Sequence, residues 1–409
     1  MSSFGTDALK WCDELATLTA TPGQMERCYL TDQHRQANAL VASWLQAADL
    51  PSWQDAAGNL WGRLAADNPD APVVILGSHL DTVPNGGIYD GILGVVLPLL
   101  VMIELKNQGT RLPFHLDLVG FGDEEGSRFS STLLGSRAVI GQWDPNWAMI
   151  KDANGISMAE AFERFGLDIN AVGQASRAGE SVLAYLETHI EQGPVLEAED
   201  LPVGIVTAIA GARRFNIDFT GMAGHAGTVP MHLRRDALAA AAEFTLIVEK
   251  VAREHGVTAT VGRIQAKPGA VNVIAGNAQI SLDIRSEKDN ERDSALDMIW
   301  DTAKVACAER GIEMSWKEIH AAPAVACDDQ LQSSLASAIE QLGLKPRYLH
   351  SGAGHDAMAM ASICPVGMLF VRCEGGISHH PDESITAEDA EVAGQVLKDW
   401  LLALANRQG

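Results

Sequence analysis

Residues Pro72 to Asp81 read PVVILGSHLD, an apolar run that ends in a serine, a histidine and an aspartate. Its valines and isoleucine lack the polar alternation of a half-exposed strand. That predicts a strand buried on both faces, as in a parallel sheet. Downstream, Ile92 to Ile103 (ILGVVLPLLVMI) is apolar all round, contains Pro98 and is too short to span a bilayer, which predicts a buried helix. Phe114 to Gly126 (FHLDLVGFGDEEG) is a second strand running into a glycine-bounded acidic loop. Upstream, Asp32 to Asp49 carries apolar residues at helical spacing. Strand, helix and strand with short links indicate an α/β doubly wound sheet. Functional residues of such sheets gather beyond the carboxyl ends of the strands, where both SHLD and GDEEG sit.

From about Ala212 to His320 the period changes. RRFNIDFTG reads as a strand and LRRDALAAAAEFTLIVEKVAREHG as a long helix closed by a glycine. VTATVGRIQA and AVNVIAGNAQISLDIRS read as two strands separated by the turn Lys267-Pro268-Gly269. A second long helix (NERDSALDMIWDTAKVACAERG) and a last strand (IEMSWKEIH) follow. That order, β-α-β-β-α-β, is the ferredoxin-like unit. The expected organisation is a catalytic domain over 1–211 and 325–409 with a domain inserted over 212–324.

A chain of 409 residues is too long for one core and suggests two domains. With 47% hydrophobic and 20% charged residues it has the composition of a soluble globular protein. A net charge of −23 argues against a nucleic-acid partner, which would call for a basic face. It does not exclude a small anionic substrate, since one arginine in a pocket outweighs a diffuse surface charge. The six cysteines form no Cys-x-x-Cys pair, which fits a reducing compartment and argues against a thiolate zinc site. The opening MSSFGTDALKWCDEL lacks a basic segment followed by an apolar one, so no signal peptide, no membrane partner and a cytoplasmic location are expected.

Five polar clusters carry the candidate chemistry: His79 with Asp81, Asp90 in YDGILG, Glu124 with Glu125, His189 in LETHIEQGP, and His379 with His380 in GGISHHPDE. A lone histidine is more often a satisfied core or surface residue than a ligand. Several at predicted strand ends, mixed with carboxylates, suit Zn or Mn. Asp81, two residues beyond His79 on an extended backbone, faces the same side and could orient that imidazole. The glycines of PNGG and GAG occur in no phosphate-loop motif, and Ser351 and Ser378 in no G-x-S-x-G elbow.

GSHLDTVPNGGIYDG, FGDEEGSRF, ETHIEQGPVLE, GHAGTVPMHLRRDAL, VNVIAGN, DIRS, GAGHDAM and GISHHPDE follow one another in that order. Together they resemble the hydantoinase/carbamoylase branch of the M20 metallopeptidase-like amidohydrolases, from about residue 20 to the C-terminus. The resemblance implies a site for two divalent ions, Zn or Mn, bridged by Asp90. His79 and His189 would complete one half, Glu125 and His379 the other. Asp81 would position a ligand and Glu124 act as general base. His225 would steady the oxyanion, reaching across from a partner subunit of a homodimer. Arg285, Asn272 and Gln192 would bind substrate, and the inserted domain would serve as lid and dimerisation unit. His380 and the pair Arg213 and Arg214 receive no such role.

The implied activity is hydrolysis of a ureido group on a small anionic substrate, releasing ammonia and carbon dioxide. Gly227 to Met231 (GTVPM) and the glycine before DEEG look more like allantoate amidohydrolases than N-carbamoyl-L-amino acid hydrolases, which often carry GTTPM. A peptidase or deacylase of the wider family is disfavoured by His189, where a carboxylate is usual. A non-catalytic binding module is disfavoured because Glu124 and every ligand position are filled.

Overall fold

The computed structural model describes residues 3–408. The chain divides into two compact units, Met1–Thr207 with Cys327–Gly409, and Ala208–Ala326. In chain order the strands begin with β1 (Ser52–Gln54), β2 (Leu60–Leu64), β3 (Val73–His79), β4 (His115–Phe121), β5 (Val182–Ile190) and β6 (Val203–Ile209). The second unit carries β7 (Gly211–Thr220), β8 (Gly224–His225), β9 (Thr258–Thr260), β10 (Ile264–Lys267), β11 (Val273–Ile274), β12 (Asn277–Ser286), β13 (Glu313–Ala322) and β14 (Val325–Ala326). β15 (Tyr348–Ser351) and β16 (Val366–Val371) return to the first.

In the first unit the strand order is β1-β2-β4-β3-β5-β16-β6. The central strands β4, β3, β5 and β16 are parallel, while β2 and β6 flank them antiparallel. The sheet is therefore mixed, parallel only where it is most deeply buried. Antiparallel neighbours need no crossover helix, and β1 reaches β2 through the short loop 55–59. Every residue of β3 and β4 is buried, as the unbroken apolar runs require. The Leu93–Asn107 helix, apolar around its circumference, packs into the same core, with Pro98 inside it rather than at its end. At Gly94 a side chain would strike the Thr188 carbonyl, so this glycine lets the helix sit tightly on β5.

The second unit has a sheet in the order β10-β12-β7-β13, with β9 also on β12. β12 alternates buried and half-exposed residues, the mark of a sheet covered on one face. Phe215, Ile217, Phe219, Ile280 and Leu282 pack there against Phe244 and Val248 of the Ala237–His255 helix and Ile299 and Trp300 of the Asp289–Glu309 helix. The two segments expected to be single strands are each broken in two, as β9 with β10 and β11 with β12. β11 leaves the main sheet to pair with β8, and Gly276 at the break sits too near Ala223 for a side chain to fit easily. Among the described residues no helix is long and apolar enough to cross a membrane.

Candidate metal centre

Four parallel strands deliver the polar clusters to one place. His79 ends β3, Glu124 and Glu125 follow β4, His189 lies one residue from the end of β5, and His379 follows β16. Asp90 comes from the loop between β3 and the Leu93–Asn107 helix. β4 stops at Phe121, so Glu124 and Glu125 sit in a turn and strand alternation does not separate them. Asp81 fixes that turn: its Oδ1 accepts from the Glu124 amide at 2.9 Å and its Oδ2 from the Glu125 amide at 3.2 Å. The backbone carbonyl of Asp81 meets His79 Nδ1 at 2.9 Å, with the carboxylate further off at 3.5 Å. Asp81 thus orients one imidazole and two glutamates at once.

Asp90 divides its two oxygens between different partners. Its Oδ1 lies 3.1 Å from His189 Nε2 and 3.5 Å from His79 Nε2, and its Oδ2 lies 3.2 Å from His379 Nε2. Glu125 Oε1 is 3.5 Å from the same His379 nitrogen. Three overlapping sets could hold an ion: His79, Asp90 and His189; Asp90, Glu125 and His379; and His79, Glu124 and Glu125. His79 and His189 each direct Nδ1 at a backbone carbonyl, that of Asp81 and that of Ile190, both at 2.9 Å. An N–H there leaves Nε2 with a lone pair aimed at a carboxylate oxygen. Two acceptors at that distance require a proton or a cation between them, and imidazole with carboxylate is a donor set that suits divalent metals.

The electrostatics agree with that requirement. Burial disfavours charge on His79 and His189, yet their bonds toward carboxylates, Asp81 and Asp90 for His79 and Asp90 for His189, outweigh it and raise both pKa values. Asp90 is also desolvated, but its three histidine partners hold it well below the usual carboxylate range. Burial, reinforced by Asp90, pushes Glu125 up to about 7, and the bond to Asp90 raises His379 to about 9. Burial pushes Glu124 well above its ordinary value, with Glu125 adding to the effect. Without metal the cluster stores protons where a cation would otherwise sit.

Gln192, in an αL-type conformation at φ 57°, donates from Nε2 to Asp90 Oδ2 at 2.8 Å and to Ser378 Oγ at 3.2 Å. Its Oε1 is buried and has no protein partner. His225, Asn272 and Arg285 belong to the second unit. His225 on β8 pairs with Val273, and the Ala226 amide bonds the Asn272 carbonyl at 2.9 Å, so these two residues are neighbours on the β8–β11 ribbon. Arg285 lies near the opposite end of β12, bonded through Nε to Asp283 Oδ1 at 2.8 Å. From Asn277 to Arg285 the strand advances eight residues, or about 27 Å. Arg213 and Arg214 make ion pairs, with Glu318 and Asp293 and with Asp283 respectively. His380 is 58% exposed and accepts from the Asp382 amide.

Near the centre, His355 and Glu383 carry no role from the sequence, and Ser378 is considered there only as a nucleophile. His355 of GAGHDAM is buried, edge-on to the His189 ring at 4.5 Å, with Nε2 bonded to Ser351 Oγ at 2.7 Å. Burial, reinforced by His189 nearby, pushes its pKa well below the ordinary histidine value. Ser378 and Glu383 flank the HHPDE histidines and bond the Asp90 loop. Both lie within GISHHPDE, beside the candidate ligand His379. Asp123 is fully buried, with Oδ2 accepting from the Leu134 amide at 3.4 Å and Oδ1 unpartnered.

Comparison with known proteins fits this geometry. The family described as peptidase family M20/M25/M40 matches residues 75–403. An N-carbamoyl-L-amino acid amidohydrolase of Geobacillus stearothermophilus is 43% identical over 384 residues, covering 94% of each chain. A probable allantoate deiminase of Oryza sativa subsp. japonica is 37% identical, over 95% of this chain and 86% of its own. A crystal structure of a hydantoinase/carbamoylase family amidase from Burkholderia multivorans superposes with a TM-score of 0.92 at 34% identity, covering 98% of both chains. The chain belongs to peptidase family M20/M25/M40, and within it to the hydantoinase/carbamoylase branch of amidohydrolases.

Proposed function

We propose that this member of the M20 family is a metal-dependent amidohydrolase that cleaves the terminal ureido group of allantoate, releasing ammonia and carbon dioxide. The observation that carries the reading is the split of Asp90, one oxygen toward His79 and His189 and the other toward His379 beside Glu125. A carboxylate so shared is suited to bridge two divalent ions, Zn or Mn, each completed by one of those residue pairs. When bound, such ions polarise a carbonyl and acidify water, which a ureido carbon fed by two nitrogens needs.

The protein's own groups do the rest. Glu124, held by its amide on Asp81 and carrying a carboxyl with raised proton affinity, takes a proton from the attacking water and delivers it to the departing nitrogen. Ammonia leaves, and the remaining carbamate loses carbon dioxide. Gln192 offers its unpartnered Oε1 to a substrate N–H. Arg285 pairs with the substrate carboxylate, and His225 and Asn272 bond the ureido oxygen and amide groups. Arg285 lies about 27 Å along β12 from Asn277, whereas His225 and Asn272 lie on the separate β8–β11 ribbon beyond that end. That supports a homodimer in which His225 and Asn272 serve the partner's site. The β-α-β-β-α-β order of the second unit supports reading it as a ferredoxin-like lid and dimerisation domain.

The 43% identity to the Geobacillus stearothermophilus protein favours a second reading, hydrolysis of N-carbamoyl-L-amino acids. GTVPM and the polar surroundings of Asp90, built from Gln192, Ser378 and His379, favour allantoate, which carries no apolar side chain. Ammonia release from protein supplied with Mn²⁺ decides between them. Turnover of allantoate is expected, and turnover of N-carbamoyl amino acids alone would establish the second reading instead.

A further inference from the structure

Asp90 stands in a loop without regular structure, and both its amide and that of Tyr89 are buried. Buried amides require acceptors, and the loop does not supply them itself. Both are met by one oxygen from the far end of the chain: Glu383 Oε1 accepts from Tyr89 N at 2.9 Å and from Asp90 N at 3.0 Å. The other oxygen, Oε2, accepts from Ser378 Oγ at 3.2 Å, and that hydroxyl also lies 2.9 Å from Asp90 Oδ2. The Glu383 amide closes the intervening turn on the His380 carbonyl at 3.0 Å. Gly87 leaves the space for this carboxylate, since a side chain there would strike it. Between Ser378 and Glu383 lies His379, held at φ 55°, a left-handed conformation that a non-glycine residue keeps only when its surroundings impose it.

We propose that Glu383 is a positioning residue that ties the loop carrying Asp90 to the loop carrying His379, and so sets the affinity of the half-site formed by Asp90, Glu125 and His379. This rests on the dinuclear reading above. The other half does not depend on the clip to the same degree. His79 and His189 come from strand ends and have their own backbone anchors at Asp81 and Ile190. Loss of Glu383 should therefore weaken one ion and spare the other, an asymmetry that general destabilisation would not produce.

The test is calorimetric titration of metal-free protein with Mn²⁺, paired with metal content after dialysis. Wild type should take up two ions. Glu383→Ala should keep one with near wild-type affinity and bind the second about ten- to a hundredfold more weakly, the usual cost of losing a partner behind a ligand. Glu383→Gln retains an acceptor for both amides and should recover most of that loss. Ser378→Ala, which removes only the hydroxyl between the two carboxylates, should weaken the second ion by about threefold or more and keeps the test available should Glu383→Ala not fold. Two ions held by Glu383→Ala as tightly as by wild type would overturn the inference alone, as would equal weakening of both. If Glu383→Ala does not fold, wild-type constants for both ions in Ser378→Ala would do the same. Wild-type protein that takes up fewer than two ions would overturn the dinuclear reading and this inference with it.

Discussion

The two halves of the candidate centre share Asp90 but are built differently. His79 and His189 stand at the ends of neighbouring strands β3 and β5, with side chains no more than 2% exposed and Nδ1 locked on backbone carbonyls. Glu125 and His379 stand in loops, and the His379 side chain is half exposed and its backbone left-handed. One half is positioned by the sheet, which the hydrophobic core makes rigid. The other is positioned by hydrogen bonds between distant loops. If each half takes an ion, the buried half is expected to hold its ion more tightly than the half that includes the exposed His379.

Asp90→Ala breaks both halves together. Uptake of both ions and ammonia release should vanish, and retention of a full-affinity ion would contradict the sharing. Glu124→Gln tests chemistry without touching the ligand sets that contain Asp90. It should take up two ions while kcat falls by about a hundred- to ten-thousandfold; a variant keeping most of its rate would remove Glu124 from proton transfer. A gentler probe is pH. Glu125 at about 7 and His379 at about 9 bind protons that an incoming cation must displace. Because both pKa values are raised, affinity for the ion of the open half should rise with pH, by up to about tenfold per unit from 7 to 9 and more steeply below 7. Titrations in buffers of different ionisation enthalpy would show the released protons, and a pH-independent affinity would count against the open half as a ligand set. Least is expected of His380→Ala. Its ring is 58% exposed and bonds only its own turn, so kcat/KM should stay within about twofold.

What could be read from the sequence follows the same divide. PVVILGSHLD announces a buried strand and places His79 at its end, because burial on both faces leaves an unbroken apolar run. Histidines and carboxylates at strand ends are legible for that reason. The antiparallel margins of the sheet are not, since β2 and β6 look like any short apolar run. The break between β11 and β12 falls at Gly276, which packs close to Ala223, more than 50 residues away in the chain. The two-residue spacing points Asp81 at His79, but it carries no sign that the carboxylate also holds the Glu124 and Glu125 amides. Glu383 reaches a loop 293 residues away in sequence, and no local pattern records such a bond. The pairing of His225 with Val273 on a separate ribbon emerges only from strand register.

Turnover is proposed to need both halves of the centre, and one measurement tests that most directly: ammonia release from allantoate as metal-free protein receives successive equivalents of Mn²⁺. Little activity is expected through the first equivalent, then a rise that is complete near the second and is reversed by a chelator. Full activity at one equivalent, or activity that survives chelation, would contradict it.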